Sequence, residues 1–291
     1  MFVQARQDDE DCLFIAKIDN VKNINSIIKA LNFSQEAVCF CSKDGLKVTV
    51  EIAKCVQASA FIQLDIFQEY SYNDEEQLIF KVDFHTLVEC LNMFEASGMN
   101  ATVDMRIQGP GQPLLLMLEE DGVILDSSIK TQDPGEIADF SFEDDCVINK
   151  VILRSEFLKE ILDEMDSTSE FIGIELSDNS PFFRFFMSSR LGECDFRVDK
   201  SSDMIEFFDC KVRTAFRYRL EHLKHTVKAI GVSQKVSMRM DENGLLCFQC
   251  MMKMDDGQIC FVEFFCIQAT NDDGGLAVIE PADEYTLPDP F

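Results

Sequence analysis

The chain has 291 residues, and its 53 acidic and 26 basic residues give a formal net charge of −27. A hydrophobic content of 46% is enough to build one large or two ordinary globular domains. No run of about 18 apolar residues occurs, so no membrane-spanning helix is expected. The first residues lack the basic-then-apolar pattern of a secretory signal peptide. The twelve Cys are therefore expected to be reduced thiols in the cytosol or nucleus.

The first predicted unit is an amphipathic helix followed by a hairpin. Val21, Ile24, Ile28 and Leu31 are spaced so that they share one helical face, which predicts a helix with one buried side. The segments "AVCFC" and "LKVTVEI" follow on either side of the turn "SKDG". Their alternation of apolar and polar residues predicts two antiparallel strands.

The same unit recurs three times along the chain. Helical stripes begin at Phe84, Leu158 and Leu220, and each leads to a predicted hairpin: "TVDMRI" with "LLLMLEE", "EFIGIEL" with "FFRFFMS", and "QKVSMRM" with "LLCFQCMM". The first and third helices are 137 residues apart, and the second and fourth are 136 apart. The spacing therefore predicts an α+β fold made of two similar halves, each with two helices packed on antiparallel sheet.

Composition places the boundary between the halves in an acidic segment that contains Pro134 and Gly135. The last residues carry six acids, three prolines and no Lys or Arg, which is typical of a flexible tail. We therefore predict five parts: a flexible N-terminus at 1–10, a first domain at 11–130, a connector at 131–145, a second domain at 146–268 and an acidic tail at 269–291.

Positive charge is concentrated near the predicted helices. The stretch "RTAFRYRLEHLKHTVK" (213–228) holds five Lys or Arg and two of the three His in the chain. Windows around the four helices, at 17–31, 81–95, 150–165 and 211–230, contain 13 of the 26 bases but only 9 of the 53 acids. If the helices pack on one side of a continuous sheet, we expect them to present a positive surface suited to phosphates.

The doubled plan resembles the DNA sliding clamps, of which proliferating cell nuclear antigen is one. The resemblance is closer still to the Rad-one subunits of the checkpoint clamp, the nine-one-one complex. It is carried by "DNVKNINSIIKALNF", "DGLKVTVEIAKCVQASAFIQ", "VINKVILRSE" and "DGQICFVEFFC", and it covers roughly residues 11–268. It implies a ring of three different two-domain subunits, with helices lining a central hole and sheets outside.

By this resemblance, seven helix residues face duplex DNA: Lys22, Lys29, Lys159, Lys224, Lys228, His222 and His225. Two features depart from a uniformly positive lining. The third helix has acids in its first turn, Glu156 and Glu160, and the second helix offers only His85 on its exposed face.

The resemblance also implies where such a ring closes. Exposed sheet edges invite pairing with another chain, and the two edges of a subunit differ, so the contacts are head-to-tail. The implied strands are 122–130 and 181–188, with Val123, Leu125, Phe182, Phe183, Arg184, Phe185 and Phe186 as interface residues. A partner groove beside the connector would be lined by Val56, Phe265 and Ile267.

The cysteine spacing favours buried thiols over a metal site. "CFQC" (247–250), with Cys260 and Cys266, suggests zinc, but residues three apart in a strand point to opposite faces, which favours buried thiols. His222 and His225 lack the four-residue spacing of a zinc protease. No nucleotide-binding motif occurs, so no cofactor is expected and loading onto DNA needs a separate ATP-driven loader.

The resemblance predicts a non-catalytic, nuclear subunit of a heterotrimeric checkpoint clamp, with Rad-nine and Hus-one types as the other subunits. It would encircle DNA at damage or stalled forks and recruit signalling and repair proteins. Three alternatives stay open: a homotrimeric replication clamp, a scaffold that never encircles DNA, and a metal-dependent 3′–5′ exonuclease. The exonuclease would need convergent carboxylates, for which the acidic pairs are Asp144–Asp145, Asp255–Asp256 and Asp272–Asp273.

Overall fold

The computed structural model describes residues 12–72, 78–93, 101–143, 146–165, 168–254 and 257–270. The predicted N-terminal segment 1–10 and nearly all of the acidic tail therefore lie outside the described residues. Five α-helices and one short 3₁₀ helix (Leu64–Ile66) occur in the described part. The α-helices are α1 (Val21–Ala30), α2 (Phe84–Asn92), α3 (Ser155–Glu164), α4 (Leu220–Lys224) and α5 (Val227–Val232). None of them is long and apolar enough to cross a membrane.

The described residues also form nineteen strands, and all of the strand pairings are antiparallel. In the first half they are β1 (Phe14–Ile18), β2 (Glu36–Ser42), β3 (Gly45–Ile52), β4 (Val56–Gln63), β5 (Glu69–Tyr72), β6 (Leu78–Asp83), β7 (Thr102–Ile107), β8 (Leu114–Glu120) and β9 (Val123–Ile129). After the short β10 (Thr131–Gln132), the second half contains β11 (Val147–Arg154), β12 (Phe171–Leu176), β13 (Phe183–Ser188), β14 (Glu193–Val198), β15 (Ile205–Cys210), β16 (Thr214–Arg219), β17 (Ser233–Asp241), β18 (Leu246–Lys253) and β19 (Ile259–Cys266).

The strand order repeats between the halves. The first half has the orders β5-β1-β7-β8-β9 and β6-β2-β3-β4, and the second half has β15-β11-β17-β18-β19 and β16-β12-β13-β14. Each strand of the first half thus corresponds to the strand numbered ten higher. The halves join where β4 pairs with β19, which gives a ten-stranded sheet flanked by a five-stranded and a four-stranded sheet. The predicted internal repeat is confirmed.

Local sequence sets the limits of these elements. Asn20 caps α1, since its side chain accepts the backbone N–H of Lys22 at 3.0 Å. Asp83 caps α2 by accepting the N–H of Thr86 at 2.7 Å, and this hydrogen bond lowers the pKa of the Asp83 carboxyl. Gly45 begins β3 at a φ of +136°, where a Cβ would lie 2.2 Å from the Ile62 carbonyl oxygen.

The helices form one layer on one face of the ten-stranded sheet. α1 contacts both α2 and α5, and α3 contacts α5, so the row runs α2-α1-α5-α3. Phe264 of β19 points toward this layer and meets the Phe33 ring at 5.9 Å, while Phe265 points to the opposite face. Apolar side chains from both halves join in one buried cluster between the layers.

The fourth predicted helix differs from the prediction, because the structure divides it into α4 and α5. His225 and Thr226 donate their backbone N–H groups to carbonyls only three residues back, at 3.3 and 3.0 Å. The Thr226 hydroxyl also donates to the Leu223 carbonyl at 2.6 Å, which stabilises the tight turn between the two helices.

Candidate functional site

The helix layer is less positive than the sequence windows indicated. The five helices carry five Lys and six acids, which are Glu89, Glu156, Glu160, Asp163, Glu164 and Glu221. The prediction of a net positive layer is therefore wrong. The windows included bases that belong to neighbouring strands and loops. The layer is close to neutral within a protein of charge −27, and its positive charge lies on α1, α4 and α5.

More than half of the basic stretch 213–228 is not helical. Arg217 and Arg219 belong to β16, and their guanidinium groups lie over the Phe171 ring at 4.5 and 5.5 Å from its centroid. Arg213 precedes this strand and binds Glu175. These contacts hold the three arginines on the four-stranded sheet. The arginines are therefore not part of the helix layer.

The five lysines predicted to face DNA are in different surroundings. Lys22 and Lys29 are partly exposed on α1, and Lys224 is partly exposed on α4. Lys228 of α5 is exposed and donates to the Asn32 carbonyl at 3.3 Å, across the junction of the halves. Lys159 forms an ion pair with Asp163 one turn further along α3, so its charge is locally balanced.

The two predicted DNA-facing histidines are not on an exposed rim, contrary to expectation. His225 stacks on Phe33 with 4.8 Å between ring centroids, and this burial lowers the pKa of its imidazole. His222 has only 13% of its side chain exposed. On α2, His85 is exposed and lies 3.2 Å from Glu89. Of the three histidines, only His85 is therefore classed as exposed on this layer.

The three sheets have six outer strands in the described chain, and four of them are β5, β10, β15 and β16. The other two are β9 in the five-stranded sheet and β14 in the four-stranded sheet. The first was predicted, and Val123 and Ile124 at its start are 61% and 55% exposed, with Leu125 half-buried. The second was placed one strand too early. β13 is paired on both sides, with β12 and β14, so it cannot be an edge.

The residues assigned to that edge have interior roles instead. The Phe183 and Phe185 side chains are fully buried in the core. Phe186 lies on the other face against Gly173, where a Cβ would come within 2.0 Å of its ring, and the Arg184 guanidinium lies 4.7 Å from that ring. Phe182 precedes the strand and meets Phe208 edge-on at 6.2 Å.

A buried carboxylate ties the four-stranded sheet together. Glu175 on β12, with 6% of its side chain exposed, accepts from Arg213 at 2.7 Å and from Arg184 at 3.3 Å. Arg184 also donates to Asp195 on β14 at 2.7 Å, and Asp195 accepts from Arg197 at 2.6 Å. These bonds lower the pKa of the Asp195 carboxyl, which burial alone would raise. The network reaches the free edge β14.

The predicted partner groove is not open as expected. Val56 is buried in the core on the helix side of the sheet, so it cannot line an outer groove. Phe265 does face outward, but the connector covers it: the Phe142 and Phe140 rings lie 5.4 and 6.5 Å from its ring. Ile267 keeps 38% exposure.

An exposed apolar patch lies further along the same outer face. Phe61 on β4 and Phe261 on β19 are direct cross-strand partners, and each is 37% exposed. Met251 is the cross-strand neighbour of Phe261 on β18. Leu64 and Ile259 are also exposed at this end of the junction. We call these five residues the outer patch; alternation along β4 and β19 could have revealed its phenylalanines in the sequence.

The cysteines and acidic pairs considered as metal ligands do not form a metal site among the described residues. The pKa of Cys247 is raised to about 12 by burial, as are those of Cys260 and Cys266, and Cys250 is fully buried. The expectation of buried thiols is confirmed. Within the described ranges no three His, Cys, Asp or Glu side chains could together hold a metal ion. The acidic pairs 144–145, 255–256 and 272–273 all lie outside the described residues.

Comparison with known proteins accounts for this architecture. The model of the family described as "Repair protein Rad1/Rec1/Rad17" matches residues 13–252. The chain belongs to the Rad1/Rec1/Rad17 family. Its predicted resemblance to the Rad-one proteins and its α+β sliding-clamp fold are thereby confirmed.

The relatives that the chain resembles are named for different roles: a checkpoint protein, a DNA repair protein and a DNA repair exonuclease. The chain is 44% identical to human cell cycle checkpoint protein RAD1 over 266 residues, which is 90% of this chain and 94% of that protein. It is 29% identical to the Drosophila melanogaster DNA repair protein Rad1, over 90% of this chain and 96% of the relative. A Mycosarcoma maydis DNA repair exonuclease, REC1, is 26% identical over 55% of this chain and 42% of its own length.

Proposed function

We propose that this chain is a non-catalytic subunit of a checkpoint sliding clamp, a closed ring of three different subunits loaded onto damaged or stalled DNA in the nucleus. The ring stays on DNA because it is closed around the duplex, and its outer face recruits signalling and repair proteins. Rad-nine and Hus-one types are the proposed other subunits, and a separate ATP-driven loader opens the ring. The division into domains 11–130 and 146–268 about connector 131–145 is part of this proposal.

The observation that best supports the proposal is that β4 and β19, which pair inside the chain, correspond to two strands that are unpaired sheet edges in the described part of the chain. β4 and β19 pair with each other through six residue pairs, from Phe61↔Phe261 to Val56↔Cys266. By the internal repeat, β14 corresponds to β4, and β9 corresponds to β19. Within the described residues both counterparts are free edges, so each can form the same junction with a neighbouring subunit. Because the two edges differ, the contacts run head-to-tail and close into a ring by rotation.

The proposed DNA contact is the centre of the helix layer. Lys22, Lys29, Lys224 and Lys228 lie on α1, α4 and α5, next to the junction of the halves. α3, with four acids and a paired Lys159, contributes little attraction. Such a surface supports sliding contact with phosphates but no base recognition, and the other subunits can supply further positive charge.

The outer patch is the proposed recruitment surface. Exposed apolar side chains gathered on one sheet face mark interaction sites in soluble proteins. The patch is flanked by Lys47, the cross-strand partner of Phe61, and by Lys253, the partner of Ile259. A partner peptide with apolar and acidic side chains would complement it. Changing Phe61 and Phe261 to Ser should abolish such binding and leave ring assembly intact.

The deciding experiment is the native mass and composition of the complex purified through a tag on this chain. Two other clamp-sized chains in equal amounts, at about three times the 33.2 kDa of this chain, are the expected result. The same mass from this chain alone would move the function to replication. A stable monomer would contradict the edge-strand argument and favour the scaffold alternative.

A metal-dependent exonuclease is the second candidate, and the name of the Mycosarcoma maydis relative is what favours it. Purified complex should be assayed for release of nucleotides from 3′ ends with Mg²⁺ or Mn²⁺. A variant with both residues of an acidic pair changed to Ala, for example Asp144 and Asp145, is the comparison. Activity that this chain supplies must fall when the carboxylates that hold its metal are removed.

A further inference from the structure

A groove opens on the outer face of the five-stranded sheet, over β7, β8 and β9. Leu115 and Met117 of β8 form its apolar floor. On one side, Arg106 of β7 donates to Asp104 through two hydrogen bonds of 2.9 and 2.8 Å. Asp126 of the outer strand β9 lines the other side. The groove has a volume of about 430 Å³, which is within the range of sites that bind ligands.

The connector between the halves follows a path that the internal repeat can extend. It leaves β9 through β10, which pairs with β6. It then crosses β3, where the Glu51 carboxylate accepts the Ala138 N–H at 3.1 Å. It ends over β17 of the second half, where the Phe142 ring lies 5.5 Å from the Arg239 guanidinium. The connector therefore crosses the junction of β4 with β19 on the outer face of the sheet.

The chain after β19, which corresponds to β9, begins the same path. The Ala269 N–H donates to the Arg217 carbonyl of β16 at 2.7 Å. The first-half counterpart of this contact is the pairing of Gln132 in β10 with Lys81 in β6. Lys81 and Arg217 correspond because each lies two residues before the N-cap of the next helix. In a subunit built on this plan, a segment that continues as the connector does crosses β12, β13 and β14 and passes beyond the edge at β14.

In the proposed ring, this path leads to the groove of the next subunit. The connector passes from β4 to β19 inside the chain, and the corresponding step between subunits passes from β14 of one subunit to β9 of the next. Arg239, which the connector reaches at the end of its path, corresponds to Arg106 in the groove. The groove therefore lies where the chain of the neighbouring subunit arrives.

The chemistry of the groove defines what that segment carries. The apolar floor suits an aromatic or aliphatic side chain. In the second half, Glu263, the counterpart of Asp126, forms an ion pair with Arg239 at 2.7 Å. Arg106 is instead bound to Asp104, which leaves Asp126 exposed to an incoming Lys or Arg. The acidic tail of this chain has six acids and no Lys or Arg, so a second copy does not supply that cation.

We propose that the groove at Leu115, Met117 and Asp126 binds the segment that follows the last strand of the neighbouring subunit, the one whose edge pairs with β9. That segment places an apolar side chain on the floor and a Lys or Arg beside Asp126. It comes from a different chain, because the acidic tail of a second copy lacks the cation. The inference rests on the proposed ring, and it adds a contact at the junction that strand pairing does not include.

Photo-crosslinking in the assembled complex tests the proposal. Leu115, which is 36% exposed, is replaced by p-benzoylphenylalanine, and the complex is irradiated and analysed by mass spectrometry. The expected crosslinks join this position to residues after the last strand of one neighbouring subunit. The same photoreactive residue in place of Phe207, which is exposed on β15, should give no crosslink to that segment. Crosslinks that reach only this chain, or only the strands of the neighbour, would overturn the proposal.

A charge reversal tests the contact with Asp126 in complexes isolated at the mass of the ring. Asp126→Lys should lower the crosslinked fraction from position 115 by about threefold, because an opposite-charge pair becomes a like-charge pair. Glu119→Lys makes the same change of charge on β8, at an exposed position outside the groove, and should leave the fraction unchanged. Equal yields from both variants would contradict the cation beside Asp126. If no ring of different subunits forms, the proposed function fails and this inference fails with it. A ring whose crosslinks miss the neighbour's segment overturns this inference alone.

Discussion

Strands β4 and β19 pair at the junction inside the chain, whereas the strands that correspond to them in the repeat, β14 and β9, are left unpaired among the described residues. At β4–β19 the edges are satisfied, and the junction is supported on both faces: His225 stacks on Phe33 on the helix side, and the connector covers Phe265 on the outer side. At β9 and β14 the corresponding edges are unpaired within the described chain. The continuous chain therefore holds one junction closed, whereas the edges β9 and β14 can be paired only by association with another chain.

The largest expected effect comes from changing the free edge β9. The two-residue turn at Asp121 and Gly122 pairs Glu120 with Val123, so the backbone N–H of Asp126 points away from β8, toward the free edge. Asp126→Pro removes this donor and should weaken association with the neighbouring subunit by about 10- to 100-fold. Light scattering of the mixed subunits measures it. Asp126→Asn keeps the N–H and should assemble normally; equally weak assembly of both variants would show that the side chain matters.

The second effect concerns the network that supports β14. Glu175→Ala leaves Arg184 and Arg213 without their buried partner and should lower the free energy of unfolding by about 2–3 kcal/mol. Arg197→Ala removes an exposed member of the same network and should cost less than about 1 kcal/mol. Urea denaturation of both variants measures the difference. Equal costs would mean that the network does not hold the edge in place.

A third comparison separates the helices of the two halves. In the assembled ring, Lys29→Glu should weaken retention on linear DNA, from whose ends a closed ring can slide. It should also reduce the slope of log K against log salt concentration by roughly 0.9 for each phosphate that the protein no longer neutralises. Lys159→Glu should have a smaller effect, because Asp163 already balances this charge. Retention is measured at two salt concentrations with assembly checked in parallel. A larger effect at Lys159 would place DNA nearer to α3.

The smallest expected effect is a pH dependence of the junction. Burial against Phe33 lowers the pKa of His225 below its ordinary 6.5, aided by His222 and Lys228 and opposed by Glu221. The unfolded chain therefore binds a proton more readily, and the stability present above about pH 6.5 falls as the pH drops through this value. Urea midpoints at pH 7.5 and 5.5 measure the loss. His225→Phe keeps the stack and should reduce the dependence; an unchanged dependence would assign it to other groups.

The sequence by itself determined the repeated plan. Apolar spacing located α1, α2 and α3, because one helical face must be buried, and alternation located the hairpins β2–β3, β7–β8, β12–β13 and β17–β18. Alternation also predicted the Cys247 and Cys250 thiols as buried, whereas the edge at β9 followed from the family resemblance. These features depend on periods within a few residues, which can be read without knowledge of the neighbours.

Tertiary structure alone decided which residues form surfaces. Sequence windows could not tell that Arg217 and Arg219 belong to a strand, that β13 is covered by β14, or that Val56 points into the core while Phe265 points out. Charge and hydropathy are properties of a residue, but exposure depends on strand register and on which distant segment packs above it. The outer patch and the connector contact on Phe265 arise only where β4 and β19, about 200 residues apart in the chain, come together.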